Sequence, residues 1–161
     1  MGFDGLVRSV KAEELSTPSS EPKFSLGVKH VASGNEYVYV YAAKTVGTGQ
    51  YCVLEPTGTS LSSGYTVTVS NASLNGWLAG VAQNTIATGY YGFVMTKGVS
   101  LIAPDSGEVS AAPGVDLALG TNGGFVAAGA TFSTAPRFGV TINSFVTTVG
   151  TSKARIFNSI L

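Results

Sequence analysis

The feature that most constrains this chain is a side-chain alternation of period two that recurs between glycine-rich turns. In residues 36–42, Tyr37, Tyr39 and Tyr41 fall on one side and Val38 and Val40 on the other, because successive strand residues face opposite ways. Both faces of such a strand need cover. Residues 65–70 follow the same rule, with Tyr65, Val67 and Val69 inward and threonines outward, the pattern of a half-buried antiparallel strand. Residues 50–54 read as the hairpin partner of 36–42 across the turn cluster 44–49. Residues 91–96 and 99–102 read as a second hairpin folded at Lys97-Gly98. Further strands are expected at 77–82, 115–119, 125–128, 138–148 and 154–157. The 21 glycines follow no strict triplet, so they mark turns and exclude a collagen-like chain. No repeat of 20 to 50 residues is evident, which disfavours a propeller or solenoid. Many short strands with frequent turns define an all-β barrel or sandwich.

Charge divides the chain in two. Of 18 charged residues among 161, seven (Asp4, Arg8, Lys11, Glu13, Glu14, Glu21 and Lys23) stand in the first 23 positions and 11 in the other 138. Ordinary soluble proteins carry about 25% charged residues. Residues 1–23 are therefore read as an N-terminal arm and linker, and residues 24–161 as a single β-rich domain. Within the arm, Leu6, Val7, Val10 and Leu15 fall near one face of a short helix, which the stretch from Ser16 to Pro22 breaks. Too short to fold alone, the arm is expected to dock on a partner, and deletion of residues 1–20 is expected to leave the β-domain's melting temperature almost unchanged.

The zero net charge and pI near 6.5 supply no basic footprint for nucleic acid or an anionic membrane. The long uncharged run 56–96 is broken by Ser, Thr, Gly and Asn, so no bilayer-spanning helix is expected. The first residues lack the basic start, apolar core and small-residue site of a cleaved signal, so export by that route is not expected.

Groups able to do chemistry are few. Cys52, the single cysteine, lies between Tyr51 and Val53, so it is read as a small buried hydrophobe rather than a nucleophile. His30, the single histidine, has no partner at metal-ligand spacing and reads as a strand-edge residue. Asp105, Glu108 and Asp116 bracket a Pro-Gly loop, but their spacing is not that of a calcium loop, and nothing in the sequence opposes a glycosidase acid to a base. The expectation is a non-enzyme with no catalytic residue, no cofactor and no metal. The 16 aromatics could form a carbohydrate platform, but strand packing already accounts for most of them.

Two stretches carry a resemblance. Residues 36–55 (EYVYVYAAKTVGTGQYCVLE) and 76–102 (GWLAGVAQNTIATGYYGFVMTKGVSLI) resemble the head decoration, or capsid cement, proteins of tailed bacteriophages. In that group a "YV" strand turns through glycine into a second strand, and a "GVA" segment precedes a "G-x-Y-G-F-V" strand, here Gly80-Val81-Ala82 and Gly89 to Val94. Asp116 to Leu119 with Gly123-Gly124, and then Phe138-Gly139-Val140, are similar to the closing part of such domains. The resemblance spans roughly 27–148 and leaves the arm outside. It implies a compact antiparallel β-barrel or β-tulip-like domain with an extended or short-helical N-terminal arm, binding the outer capsid surface of the virion as a homotrimer and clamping neighbouring copies of the major capsid protein. Such a protein is made in the host cytoplasm and binds neither nucleic acid nor membrane. Partner contacts are assigned to Phe3, Leu6, Val7, Val10 and Leu15 of the arm and to Tyr37, Tyr39 and Tyr41. The alternatives are a tail-tube or head-fibre subunit and a carbohydrate-binding β-sandwich or adhesin, with a carboxylate hydrolase last.

Overall fold

The computed structural model describes residues 9–54, 65–69, 78–105, 110–120, 123–127, 138–142, 145–146 and 152–156. Its elements are α1 (Ala12–Ser16), β1 (Lys29–Ala32), β2 (Asn35–Ala42), β3 (Tyr51–Leu54), β4 (Thr66–Thr68), β5 (Leu78–Ala82), β6 (Tyr91–Ile102), β7 (Ser110–Ala111), β8 (Asp116–Leu119), β9 (Phe125–Ala127), β10 (Gly139–Thr141), β11 (Phe145–Val146) and β12 (Ser152–Ile156). Among the described residues the protein is all-β apart from one five-residue helix.

Five strands close a barrel in the order β2, β4, β3, β5, β6 and back to β2. The expected hairpin between residues 36–42 and 50–54 does not form, because β3 pairs with β4 and β5 while β2 pairs with β1, β4 and β6. The β2–β4 pair is parallel, so the barrel is mixed rather than purely antiparallel. Closure explains both departures: the chain after β2 crosses the barrel's end before it re-enters, and the adjoining slot on β2 is left for β4.

That crossing reveals a repeat the sequence hides. Residues 42–51 and 82–91 share Ala, Thr, Thr, Gly and Tyr at equivalent positions forty apart, and the two segments face each other across the end of the barrel. Val46 and Ile86 exchange two backbone hydrogen bonds, both 2.9 Å. Gly49 N–H donates to the Ala82 carbonyl at 2.7 Å and Gly89 N–H to the Ala42 carbonyl at 2.8 Å. The hydroxyl of Thr45 meets that of Thr88 at 3.1 Å, and Thr48 meets Thr85 at 3.3 Å. Gly49 and Gly89 hold φ of +77° and +80°, a backbone region costly for residues with a Cβ. With Val46 and Ile86 both buried as plugs, the two loops form a pseudo-twofold lid. Two copies of a ten-residue segment are too few and too short to register in a search for repeat arrays.

The bore of a five-strand barrel is narrow and takes small or β-branched side chains: Val38, Val40, Ala42, Cys52, Val67, Ala79, Ala82 and Val94 fill it with the two plugs. A Cβ on Gly92 would meet Ile86 Cδ1 at 2.9 Å, so one plug depends on a missing side chain.

The expected turn at Lys97-Gly98 is instead a bend inside one twelve-residue strand. Gly98 has φ +121°, and a Cβ there would strike the Asn35 side chain. Asn35 Oδ1 accepts from Val99 N–H at 3.0 Å. The glycine thus redirects β6 without ending it, and residues 98–102 leave the barrel to pair with β12. From there a second sheet runs β6, β12, β10, β8, β9. Residues 138–148, expected as one strand, supply β10 to this sheet and β11 to a separate two-stranded ladder with β7.

Between the barrel's outer wall and the second sheet lies a second core of Tyr51, Val53, Leu78, Val81, Ile102, Leu117, Phe125, Phe138, Ala154 and Ile156. Strand β5 is buried on both sides, and a register shift where it meets Cys52 and Val53 turns Leu78 and Val81 to the same core.

Candidate functional site

The outer face of β2 and β6 carries the residues that sequence reasoning singled out. Register places Tyr39 opposite Phe93 and Tyr41 opposite Tyr91, so the rings share one face. Phe24, just after the linker, completes the cluster, 5.3 Å from Tyr39 edge-on and 5.6 Å from Phe93. Tyr39 lies 4.9 Å from Phe93 and stacks on Tyr91 at 6.2 Å, and Tyr91 lies 5.1 Å from Tyr41. The described arm covers this face in the same molecule. Helix α1 packs against β6. Ser19 and Tyr91 exchange backbone hydrogen bonds of 2.9 and 2.8 Å, and Lys23 N–H donates to the Tyr39 hydroxyl at 3.0 Å. Burial raises the Tyr39 pKa, against the lowering effect of the Lys23 amide, with the Glu14 carboxylate a smaller contributor in the same upward direction.

Helix α1 is shorter than the apolar spacing of residues 6–15 suggests. It begins at Ala12, where the buried Glu14 carboxylate reaches back to accept from Lys11 N–H at 2.9 Å. That is half of a capping box, since a lysine side chain at the cap has no acceptor to return. Of the arm residues assigned to partners, Val10 and Leu15 are half-buried and Phe3, Leu6 and Val7 lie outside the described residues. Tyr37 and Tyr41 are half-buried, whereas Tyr39 is buried. Phe24, Tyr91 and Phe93 were not singled out as a surface. The period-two alternation of 91–95 was the available signal, and only strand pairing puts it beside β2.

The groups considered for chemistry sit in structural settings. Cys52 is wholly buried in the barrel, its Sγ 3.4 Å from the Gly80 carbonyl, and burial pushes its pKa up to about 12. His30 is half-buried on β1 in register with Tyr37. Asp105 is buried where its N–H meets the Phe125 carbonyl at 2.9 Å, with its carboxylate against Gly120 and its backbone against Gly124. Asp116 opens β8 opposite Val140. Glu108 lies outside the described residues. Among the described residues, no group of three or more His, Cys, Asp and Glu is placed to hold a metal ion, and no buried side-chain nitrogen or oxygen lacks a hydrogen-bond partner. Among them, too, no helix is long and apolar enough to cross a membrane.

The fold defines a class: a closed five-strand barrel flanked by a second sheet that shares its longest strand. Among solved structures it is similar to the N base of head fiber gp8.5 of bacteriophage phi29, with a TM-score of 0.54 and 16% identity over 78% of this chain and 96% of that one. No protein-family model matches the sequence, and no curated protein does.

Proposed function

We propose that this chain is a phage virion structural protein of the head exterior, whose barrel and flanking sheet form a base module that seats on the capsid shell. One observation carries the reading: the fold likeness takes in nearly the whole of a head-fiber base. The finer role is that of cement, in which the module binds as a cyclic trimer and clamps neighbouring subunits of the major capsid protein. A protein that binds assembled shell and not free subunits shifts the lattice toward the intact state by mass action alone. The head-fiber likeness equally favours a second role, a base that attaches without strengthening the shell.

The test mixes purified full-length protein with empty expanded heads, measures co-sedimentation, and then follows shell disruption on heating. Saturable binding with a raised disruption temperature supports cement, and saturable binding without it supports a fiber base. Failure to bind overturns the head-exterior reading. Light scattering at micromolar concentration checks the subunit count, and a monomer both free and on particles counts against the trimer.

A further inference from the structure

The outer face of the second sheet carries a patch that the barrel's packing does not use. Register sets Val99 opposite Arg155 and Arg155 opposite Val140, with Asp116 next in the row. The neighbouring outward row has Leu101 opposite Lys153, and Ile142 donates its N–H to the Lys153 carbonyl at 2.9 Å. Residues directly opposed in antiparallel strands share a face. Lys153 and Arg155 therefore stand on the middle strand with aliphatic side chains on both sides. Val99 and Ile142 are among the few large hydrophobics left exposed, at 39% and 41%, and both cations are exposed. Elsewhere, exposed Lys97 pairs with Glu36 across β6 and β2 at 3.4 Å. Among the described residues, neither Lys153 nor Arg155 has a carboxylate partner.

From this juxtaposition we infer that the outer face of β6, β12 and β10 is a docking surface for an acidic protein surface, with Lys153 and Arg155 receiving carboxylates between aliphatic contacts at Val99, Leu101, Val140 and Ile142. In naming the capsid shell as the source of that surface, the inference rests on the head-exterior reading. Charge complementarity selects the partner's sign and register, while the flanking aliphatics supply apolar area. A nucleic acid fits less well: two cations neutralise few phosphates, and the aliphatics have nothing to pair with on a phosphate backbone. Asp116, at the far end of one row, limits the positive stretch to the β6–β12–β10 side.

The experiment uses full-length protein and empty expanded heads. Lys153→Glu with Arg155→Glu should weaken co-sedimentation at least tenfold, and Val99→Ser with Ile142→Ser several-fold. Lys29→Glu, an exposed charge reversal on β1, should change little. Wild-type affinity should fall as salt rises. Circular dichroism checks that each variant folds; all four patch substitutions are at exposed positions. Tight binding by wild type that the patch variants retain overturns this surface and leaves the head-exterior reading standing, whereas no binding by wild type overturns both. Binding of wild type to duplex DNA at the same salt, lost on charge reversal, would reassign the face to nucleic acid. A concentration-dependent dimer abolished by the same reversal would reassign it to a second copy. Either result overturns the inference.

Discussion

Cys52 shows how a single side chain responds to its place in the barrel. Among the described residues its thiol has no charged neighbour to stabilise a thiolate, and burial lifts its pKa from 9.0 to about 12. At pH 8 only about one molecule in ten thousand carries the thiolate, so a thiol reagent should react with native protein no faster than the chain unfolds. Rapid labelling in native buffer would contradict the burial. The shift also links stability to pH. The unfolded thiol ionises near 9 while the folded one keeps its proton, so this contribution is whole below about pH 9 and is lost as pH rises toward 12, on the order of 4 kcal/mol in all. Cys52→Ala should cost on the order of 1 kcal/mol at pH 7 and should flatten the alkaline loss. Denaturant midpoints at pH 7.5 and 10.5 decide this, since an equal loss in both proteins would place its origin elsewhere. Tyr39, whose pKa is also raised by burial, acts in the same direction above its ordinary range. Sequence order already marked Cys52 as buried, because it alternates between Tyr51 and Val53. What the order could not convey was that these neighbours belong to a different core from the thiol.

Among the elements, β6 corrects a sequence expectation for a physical reason, and the arm gives grounds to predict differently from one. Lys97-Gly98 has turn composition, but a positive φ at one glycine also lets a strand bend and continue where new partners wait on the far side. Gly98→Ala should cost about 2 kcal/mol or more, from the strained φ of +121° and the collision with Asn35. Chemical denaturation measures it, and a neutral substitution would show that β6 does not need the bend. The arm was expected to be thermally silent. Its backbone bonds to Tyr91 and Tyr39 and its cover over the aromatic face predict otherwise. Deleting residues 1–23 should lower Tm on the order of 5 °C, the effect of roughly 2 kcal/mol in a domain of this size. An unchanged Tm would mean that the docked arm contributes nothing net after its ordering entropy.

At the scale of the whole molecule, the barrel and the second sheet share strand β6 and the core between them, so neither buries its apolar face alone. Phe125, buried in that core and 5.5 Å from the Tyr51 ring, joins the two layers. Phe125→Ala should cost about 3 to 5 kcal/mol, and wild type and variant should each unfold in one transition. Tyrosine near-ultraviolet and far-ultraviolet dichroism should coincide through the melt. Two resolved transitions in wild type would divide the molecule at β6.

By themselves, the residues determined the all-β class, the position of most strands, the split between a charged arm and a charge-poor domain, and the burial of Cys52. Each is a local property: alternation, turn residues and charge density are written along the chain within a few positions. The tertiary structure decided what pairs with what. That β2 closes on β6 instead of β3, that two weakly similar loops meet as a lid, and that 138–148 splits between two sheets depend on barrel closure and on cores shared by residues far apart in sequence. The same holds for the surfaces. Tyr37, Tyr39 and Tyr41 were visible as one strand face, but the cover of Tyr39 by Phe24 and the arm was not. The row joining Val99, Arg155 and Val140 exists only through strand register, because hydrogen-bonded pairing sets three distant segments side by side and no local pattern encodes that choice.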